Sequence, residues 1–276
     1  LLKNFSMKKL LIGITGSSGS LGKELLKFKE YKFIKFKGDI RSKESLRKWF
    51  NVNYFDAIIH LAAIVPIKDV NSNKKKAYNV NYIGTKILVD QVVKHKIKWF
   101  FFASTSHVYS SNSRRISENS KCKPVSYYGY TKKISENYIV KNLKNSKIKY
   151  CIGRIFSTSN SNQKKNYLVP DLKRKIKNAN KNILLKNLNH FRDFISMKDI
   201  SKITFFLYKK RFKGIINLGT GRKIHLKEIA KIIAKRYKKN VIFDDNKNVT
   251  YLIANIKKLK KIYKNKIDSK IEDMIF

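Results

Sequence analysis

The 276-residue sequence predicts an α/β fold: a doubly wound parallel sheet over residues 7–155, with a smaller C-terminal α/β lobe over residues 156–276. Three observations predict it. Short apolar runs alternate with amphipathic stretches through the first half, the pattern of a parallel sheet covered by helices on both faces. A glycine-rich loop, TGSSGSLG at 15–22, directly follows the first apolar run. Beyond residue 156 the alternation loosens, and segments near 194–220 are expected to return to the sheet.

Taken in order, Leu10–Thr15 is a short apolar run ending at glycines and Leu21–Lys29 reads as a helix. Lys32–Phe36 alternates basic and apolar residues as a strand does, and Ser45–Phe50 is helical. Ala57–Ala63, apart from His60, and Trp99–Ala103 are apolar runs, as strands buried on both faces must be. Between them Lys86–Lys94 carries apolar residues at spacings of three and four, the helical period. A helix from Tyr130 to Leu143 and a strand from Tyr150 to Ile155 close the series. The second half reads as a polar loop (157–166), helices at Val169–Asn178, 193–208 after a turn, and His225–Lys235, and a strand at Gly214–Leu218. The Lys-rich tail keeps Ile256, Leu259, Ile262 and Tyr263 at helical spacing and reads as a solvated helix face.

Composition sets limits. The hydrophobic fraction of 42% excludes a disordered polycation despite the formal charge of +45. No apolar run reaches the roughly 18–20 residues that a membrane span needs. The excess charge comes from 53 Lys and only 10 Arg, spread evenly along the chain. A phosphate-reading surface concentrates its charge and favours Arg forks, so the spread argues for compositional drift over a nucleic-acid partner. Cys122 and Cys151 have neither metal-ligand nor redox-motif spacing, so no metal is expected, and the thiols fit a reducing cytoplasm. Met7 opens MKKLLIGITG, which reads as a natural start; residues 1–6 would then be a leader, an expression remnant or the tail of a missing segment, too short and polar for a secretion signal.

Gly16, Gly19 and Gly22 stand where a strand gives way to a helix, the context of a dinucleotide loop. Such a loop must turn tightly, let a pyrophosphate approach the backbone and seat it on free helix N–H groups. The matching ribose-binding acid is missing: the following strand carries Lys35 and Lys37, and the nearest carboxylate is Asp39. That arrangement suits a 2′-phosphate, or else is two more lysines in a lysine-rich chain, and NAD or NADP stays open. Further on, Tyr128 and Lys132 are four residues apart at a helix start and so share a face. A nearby ammonium is expected to lower the Tyr128 pKa towards a usable acid or base. Ser104, Thr105 and Ser106 fall at the carboxyl end of a strand, where α/β sheets bind ligands.

Together these pieces resemble the extended short-chain dehydrogenase/reductases, in particular the NAD-dependent epimerase/dehydratase family acting on nucleotide sugars. The matching segments are TGSSGSLG at 15–22, GDIR at 38–41, HLAA at 60–63, NYIGT at 81–85, ASTSHVY at 103–109, PVSYYGYTK at 124–132, RIF at 154–156, RDFISMKDI at 192–200 and INLGTGRKIHLKEIA at 216–230. The resemblance implies a Rossmann-type cofactor domain with a substrate-binding lobe, and a homodimer joined through a helix bundle. It implies that Gly16, Gly19, Ser20, Leu21 and Gly22 cradle the pyrophosphate, that Asp39 and Ile40 meet the adenine, and that Leu61, Ala62 and Ala63 line the cofactor. Asn81 would support the site, Ser104 and Phe156 would lie by the cofactor, and Lys132 would hold its ribose. Thr105 and Tyr128 would act on the substrate, with Ser157 beside it and Arg192 on its phosphates.

Two departures bear on the reaction. The family's ribose-binding stretch is shortened, and the usual Asn after RxF is Ser157. Residues 106 and 107 are Ser and His, where dehydratases of the family carry a carboxylate, so dehydration is disfavoured. His107 falls where related epimerase-reductases place a proton-transfer group; it is either a second acid/base or a polar strand-end residue without chemistry. The sequence thus predicts an NAD(P)-dependent enzyme on a nucleotide-diphosphate sugar, leaning to reduction of a 4-keto(-6-deoxy) sugar, with 4-epimerisation the alternative. A non-catalytic NAD(P)- or RNA-binding protein on the same fold is the competing class.

Overall fold

The computed structural model describes residues 10–160, 163, 166–244 and 248–276. The Met7 start, residues 1–6 and parts of the 157–166 loop lie outside them. Six parallel strands form the central sheet: β1 (Leu11–Thr15), β2 (Lys32–Lys35), β3 (Ala57–His60), β4 (Trp99–Thr105), β5 (Lys149–Ile155) and, from the second half, β8 (Gly214–Leu218). Their order is β2-β1-β3-β4-β5-β8, so the chain reverses direction across the sheet between β1 and β3. That reversal opens a crevice at the carboxyl ends of β1 and β3, where such sheets take ligands.

The helices are α1 (Ser20–Leu25), α2 (Lys43–Asn51), α3 (Ile67–Ser72), α4 (Lys74–Tyr78), α5 (Gly84–Lys94), α6 (Tyr127–Leu143), α7 (Leu168–Asn178), α8 (Met197–Lys209), α9 (Leu226–Arg236), α10 (Lys257–Ile262) and α11 (Ile271–Ile275). β4 shows why the sheet is covered on both sides. Trp99 and Phe101 pack with Leu25, Ile200, Tyr208 and Leu259 on one face; Phe100 and Phe102 pack with Phe50, Leu88, Val92 and Ile139 on the other. All four β4 aromatics have 0% exposure. Truncating one, as in Phe101→Ala, would cost about 3–5 kcal/mol.

Boundaries depart from the sequence reading for local reasons. The first helix stops at Leu25 rather than Lys29, as Phe28 turns inward to meet Phe205, ring centroids 4.5 Å apart. β3 stops at His60, the residue paired with the last of β1, which frees Leu61–Ala63 to face the crevice. In the tail only Lys257–Ile262 is helical; Leu259 and Tyr263 anchor it to the main core while its lysines stay in solvent. The lobe carries small strands that the sequence reading left unassigned: β6 (Asn182–Lys186) with β10 (Asn240–Asp244), and β7 (His190–Arg192) between β9 (Ile224–His225) and β11 (Thr250–Leu252). Its own core joins Val169, Leu172 and Ile176 of α7 to Ile229 and Ile233 of α9.

Candidate active site

The crevice is built from the end of β1. Gly16 has φ +71°, and a Cβ there would sit 2.5 Å from the Ala62 amide nitrogen; one on Gly22 would sit 2.6 Å from the Gly16 carbonyl. Both glycines let backbones touch. Gly19 differs: its Cβ would meet nothing nearer than the Gly16 carbonyl at 3.4 Å, so it faces open space at the start of α1. That is the cradle a pyrophosphate needs, and Ser20 and Leu21, which open α1, fit the expected group.

A one-way chain of hydrogen bonds holds this loop to its neighbours. The Ala62 N–H donates to Thr15 Oγ1 (3.3 Å), and Thr15 Oγ1 lies 2.6 Å from His60 Nδ1. His60 Nε2 lies 2.9 Å from Thr85 Oγ1, which donates to the Asn81 carbonyl at 2.6 Å. Because the Thr85 hydrogen is spent on that carbonyl, Nε2 must be the donor and Nδ1 accepts from Thr15. His60 is therefore one fixed neutral tautomer, and burial, helped by the Lys132 charge, holds its pKa well below the ordinary value. Asn81 sits in a π-helical turn (Asn79–Ile83) and is fully buried. Its amide accepts from Ile64 N–H (2.7 Å) and donates to the Ile64 carbonyl (3.0 Å) and Thr131 Oγ1 (3.1 Å), tying the β3 loop to α6.

At the end of β4, Thr105 caps a turn of 3-10 helix (Ser106–Val108). Ser126 caps α6 by accepting from the Gly129 N–H (3.1 Å), and Gly129 presses on that turn: a Cβ there would run into the His107 carbonyl. This close packing brings the Tyr128 hydroxyl beside Thr105. Lys132, one turn further, is 1% exposed, its Nζ 3.9 Å from the Phe102 ring centroid. Thr105, Tyr128 and Lys132 are thus brought together.

The electrostatics correct one expectation. The Tyr128 phenol is pushed up, not down, because burial penalises the phenolate and outweighs the opposing effect of Thr105. Lys132 does not act as a full neighbouring charge, since burial lowers it to about 7 against the opposing pull of Glu136. His107 is shifted as well. Burial and the Arg192 charge hold it at about 4, so it is neutral at physiological pH. Its Nδ1 lies 3.2 Å from Ser126 Oγ, and its ring stands edge-on to Tyr128 at 6.2 Å.

The other expected site residues divide between the interior and the cleft. Ser104 is 3% exposed and donates to Glu136 at 2.5 Å, so its hydroxyl is committed inside the protein. Ile40 is 6% exposed and packs in the core against Gly84. Asp39 lies exposed at the crevice end, gripped by Arg41 through both carboxylate oxygens, which holds it at about 2. Phe156 is 3% exposed and packs with Val108, Tyr109 and Leu252, while the Ser157 carbonyl accepts from the Ile195 N–H at 2.9 Å. Arg192 reaches the cleft from β7. Its guanidinium donates to the Phe191 and Thr250 carbonyls (2.8 and 3.1 Å) and to Thr250 Oγ1 (3.0 Å). Among the described residues it forms no ion pair, and burial lowers it to about 10, so an anion there would be welcome.

Sequence reasoning missed His60, Glu136 and Tyr167. Glu136 had a signal, a carboxylate four residues beyond Lys132, and Arg154 lay within the quoted RIF segment. Tyr167, pushed up to about 12 by burial, acts electrostatically on Tyr128 from the start of α7; nothing local in the sequence marks it.

A Rossmann-type sheet with this glycine loop and a Thr–Tyr–Lys trio at its carboxyl edge defines an enzyme of the extended short-chain dehydrogenase/reductase type. The family model "NAD dependent epimerase/dehydratase family" matches residues 11–219, and the chain belongs to that family. Its cofactor is accordingly a nicotinamide dinucleotide, NAD or NADP. The chain is 27% identical over 270 residues (91% of this chain, 90% of the relative) to a GDP-6-deoxy-D-talose 4-dehydrogenase of Aggregatibacter actinomycetemcomitans. It shares its fold with RMD from Pseudomonas aeruginosa complexed with NADPH (TM-score 0.87, 17% identity, 97% and 96% of the two chains). It also superposes on the UDP-glucose 4-epimerase of Thermus thermophilus in complex with NAD (TM-score 0.86, 17% identity, 96% of each chain).

Proposed function

We propose that the protein reduces the 4-keto group of a nucleotide-diphosphate sugar, a 4-keto-6-deoxy sugar foremost, using NAD(P)H. The observation that carries this reading is the Tyr128 hydroxyl, buried against Thr105 and kept protonated by that burial. Reduction needs an acid first. As the carbonyl π bond breaks, Tyr128 gives its proton to the oxygen and Thr105 holds the developing alkoxide in place. A nicotinamide held in this crevice would supply the hydride for the carbonyl carbon. Lys132, at about 7, can pass a proton on at neutral pH and so restore Tyr128. Epimerisation would instead start by removing a proton, which the raised phenol resists.

Three features support the substrate class. Arg192, which forms no ion pair among the described residues, offers its positive charge to a diphosphate from the lobe side of the cleft. Ser106 and His107 provide no carboxylate for elimination of water. The relative from A. actinomycetemcomitans is named for oxidoreduction at a 4-position of a GDP-6-deoxy sugar. We also place the protein in the cytoplasm as a homodimer. Its two cysteines are free thiols, and no helix among the described residues is long and apolar enough to cross a membrane. The outer face of α5, α6 and the π-helical turn presents an open cavity of about 490 Å³ where Tyr82, Ile134 and Tyr138 stand among Lys86, Asn137 and Lys141, and which a second copy would cover.

The test is incubation with UDP-, GDP- and dTDP-sugars and their 4-keto-6-deoxy forms, with and without NAD(P)H. Reduction consumes one cofactor per product. Epimer formation without net cofactor consumption would overturn the reductase reading, and a monomer on light scattering the dimer.

A further inference from the structure

Behind the site lies a buried ionic network that the reaction as described does not use. Glu136 is 1% exposed and stands on α6 four residues beyond Lys132. Its Oε1 accepts from Ser104 Oγ (2.5 Å) and Arg154 Nε (3.0 Å), its Oε2 from Arg154 Nη2 (2.7 Å), with Lys133 Nζ at 3.6 Å. Arg154, also 1% exposed, donates through Nη1 to Tyr109 Oη (2.8 Å) and the Glu118 carbonyl (3.2 Å). Tyr109 passes its hydrogen to Asn217 Oδ1 (2.7 Å), and Asn217 donates to the Ile116 carbonyl (2.8 Å). The network runs from β4 through α6 and β5 to β8 with partners at every step. Fold stability alone does not account for it, because well-packed apolar residues in place of such a pair are often neutral or stabilising.

Its place suggests what it does. Ser104, held by Glu136, precedes Thr105 on β4; Lys132 is one helical turn before Glu136. We propose that Glu136 is a positioning residue of the Thr105–Tyr128–Lys132 site: its buried carboxylate anchors the end of β4 through Ser104 and supplies the fixed negative charge one turn from Lys132. This rests on the assignment of Lys132 to the cofactor site. The groups facing Lys132 leave Glu136 as the source of that charge. β3 contributes His60, which is neutral; β4 contributes the Phe102 ring. α6 contributes Tyr128, which is protonated, and Glu136; β5 contributes Arg154, a cation turned to Glu136. Without Glu136 burial would act on Lys132 unopposed, and the ammonium would be lost at lower pH.

The test follows NADH and NADPH binding by nicotinamide fluorescence from about pH 5.5 to about 9.5, spanning the lysine shift. Wild type, Glu136→Gln, Glu136→Asp and Lys132→Met are compared, with near-ultraviolet circular dichroism confirming the fold. Wild type should show an inflection near neutrality that Lys132→Met lacks. Glu136→Gln should move it down by about one pH unit or more, and Glu136→Asp should restore most of the shift. If Glu136→Gln does not fold, the double variant Glu136→Gln/Arg154→Gln removes the pair without stranding a buried guanidinium, and its inflection should lie below that of Arg154→Gln alone, which keeps the carboxylate. A folded Glu136→Gln with the wild-type inflection, or a double variant with that of Arg154→Gln, overturns the proposal. An inflection missing from wild type, or surviving in Lys132→Met, instead removes Lys132 from the cofactor site, and the proposal falls with it.

Discussion

His60 shows how one buried side chain can tie the glycine loop to a neighbouring helix. Its ring spans Thr15, at the root of the glycine loop, and Thr85, at the start of α5, and its neutral form is the one both partners require. His60→Ala would leave the buried Thr15 hydroxyl without its acceptor, while Thr85 keeps its bond to the Asn81 carbonyl; the loss, about 1–3 kcal/mol, should lower the unfolding midpoint in urea. The acid response has a definite sign. His60 and His107 are both depressed in the folded state, so unfolded chains bind more protons below the ordinary histidine value of about 6.5. Stability should therefore be fully present above that value and fall as pH drops towards about 4, where His107 itself titrates. Urea unfolding across this window should show the slope, and His107→Gln should flatten it; an unchanged slope would place the acid sensitivity elsewhere.

At the scale of elements, the glycine loop and the start of α6 make separable predictions. Gly19→Ala adds a methyl into open space, so melting should barely change while NAD(P)H binding weakens at least tenfold by fluorescence titration. Gly16→Ala forces a side chain into a φ of +71° and against Ala62, so it should destabilise as well as abolish binding. If Gly19→Ala binds cofactor normally, the phosphate cradle lies elsewhere. Gly129→Ala would drive α6 off the turn below His107 and part Tyr128 from Thr105. Turnover should then fall more than stability, a contrast that kinetics beside calorimetry would reveal.

Across the whole molecule, what was legible in the sequence follows from the range of the interactions. β1, β3 and β4 are buried on both faces and announce themselves as mainly apolar runs that turn polar only at their carboxyl ends; the glycine loop, Tyr128 and Lys132 are local patterns with local causes. The lobe strands are different. β7 has three residues and pairs with Thr250–Leu252, sixty positions on, so no neighbouring residue signals it. β6 and β10 are partly exposed and owe their existence to each other. The Tyr128 environment was misread for the same reason: spacing showed the lysine, whereas burial by α3, α6 and the start of α7 decides the phenol. The charge of +45 is likewise a property of the whole chain. Any RNA retained at low salt should be released near physiological salt, as expected for dispersed lysines without a built phosphate surface; retention in a mobility-shift assay there would revive a nucleic-acid role.

The central claim is that Tyr128 is the acid that completes reduction of a nucleotide-bound 4-keto sugar. The most direct measurement is NAD(P)H consumption with 4-keto-6-deoxy nucleotide sugars for wild type and Tyr128→Phe, each shown by fluorescence to bind the cofactor. The account predicts steady consumption by wild type and a loss of about 10²–10⁴-fold in turnover for Tyr128→Phe with cofactor affinity kept. Turnover by Tyr128→Phe at the wild-type rate, or a wild type that binds NAD(P)H yet oxidises none with any of these sugars, would contradict it.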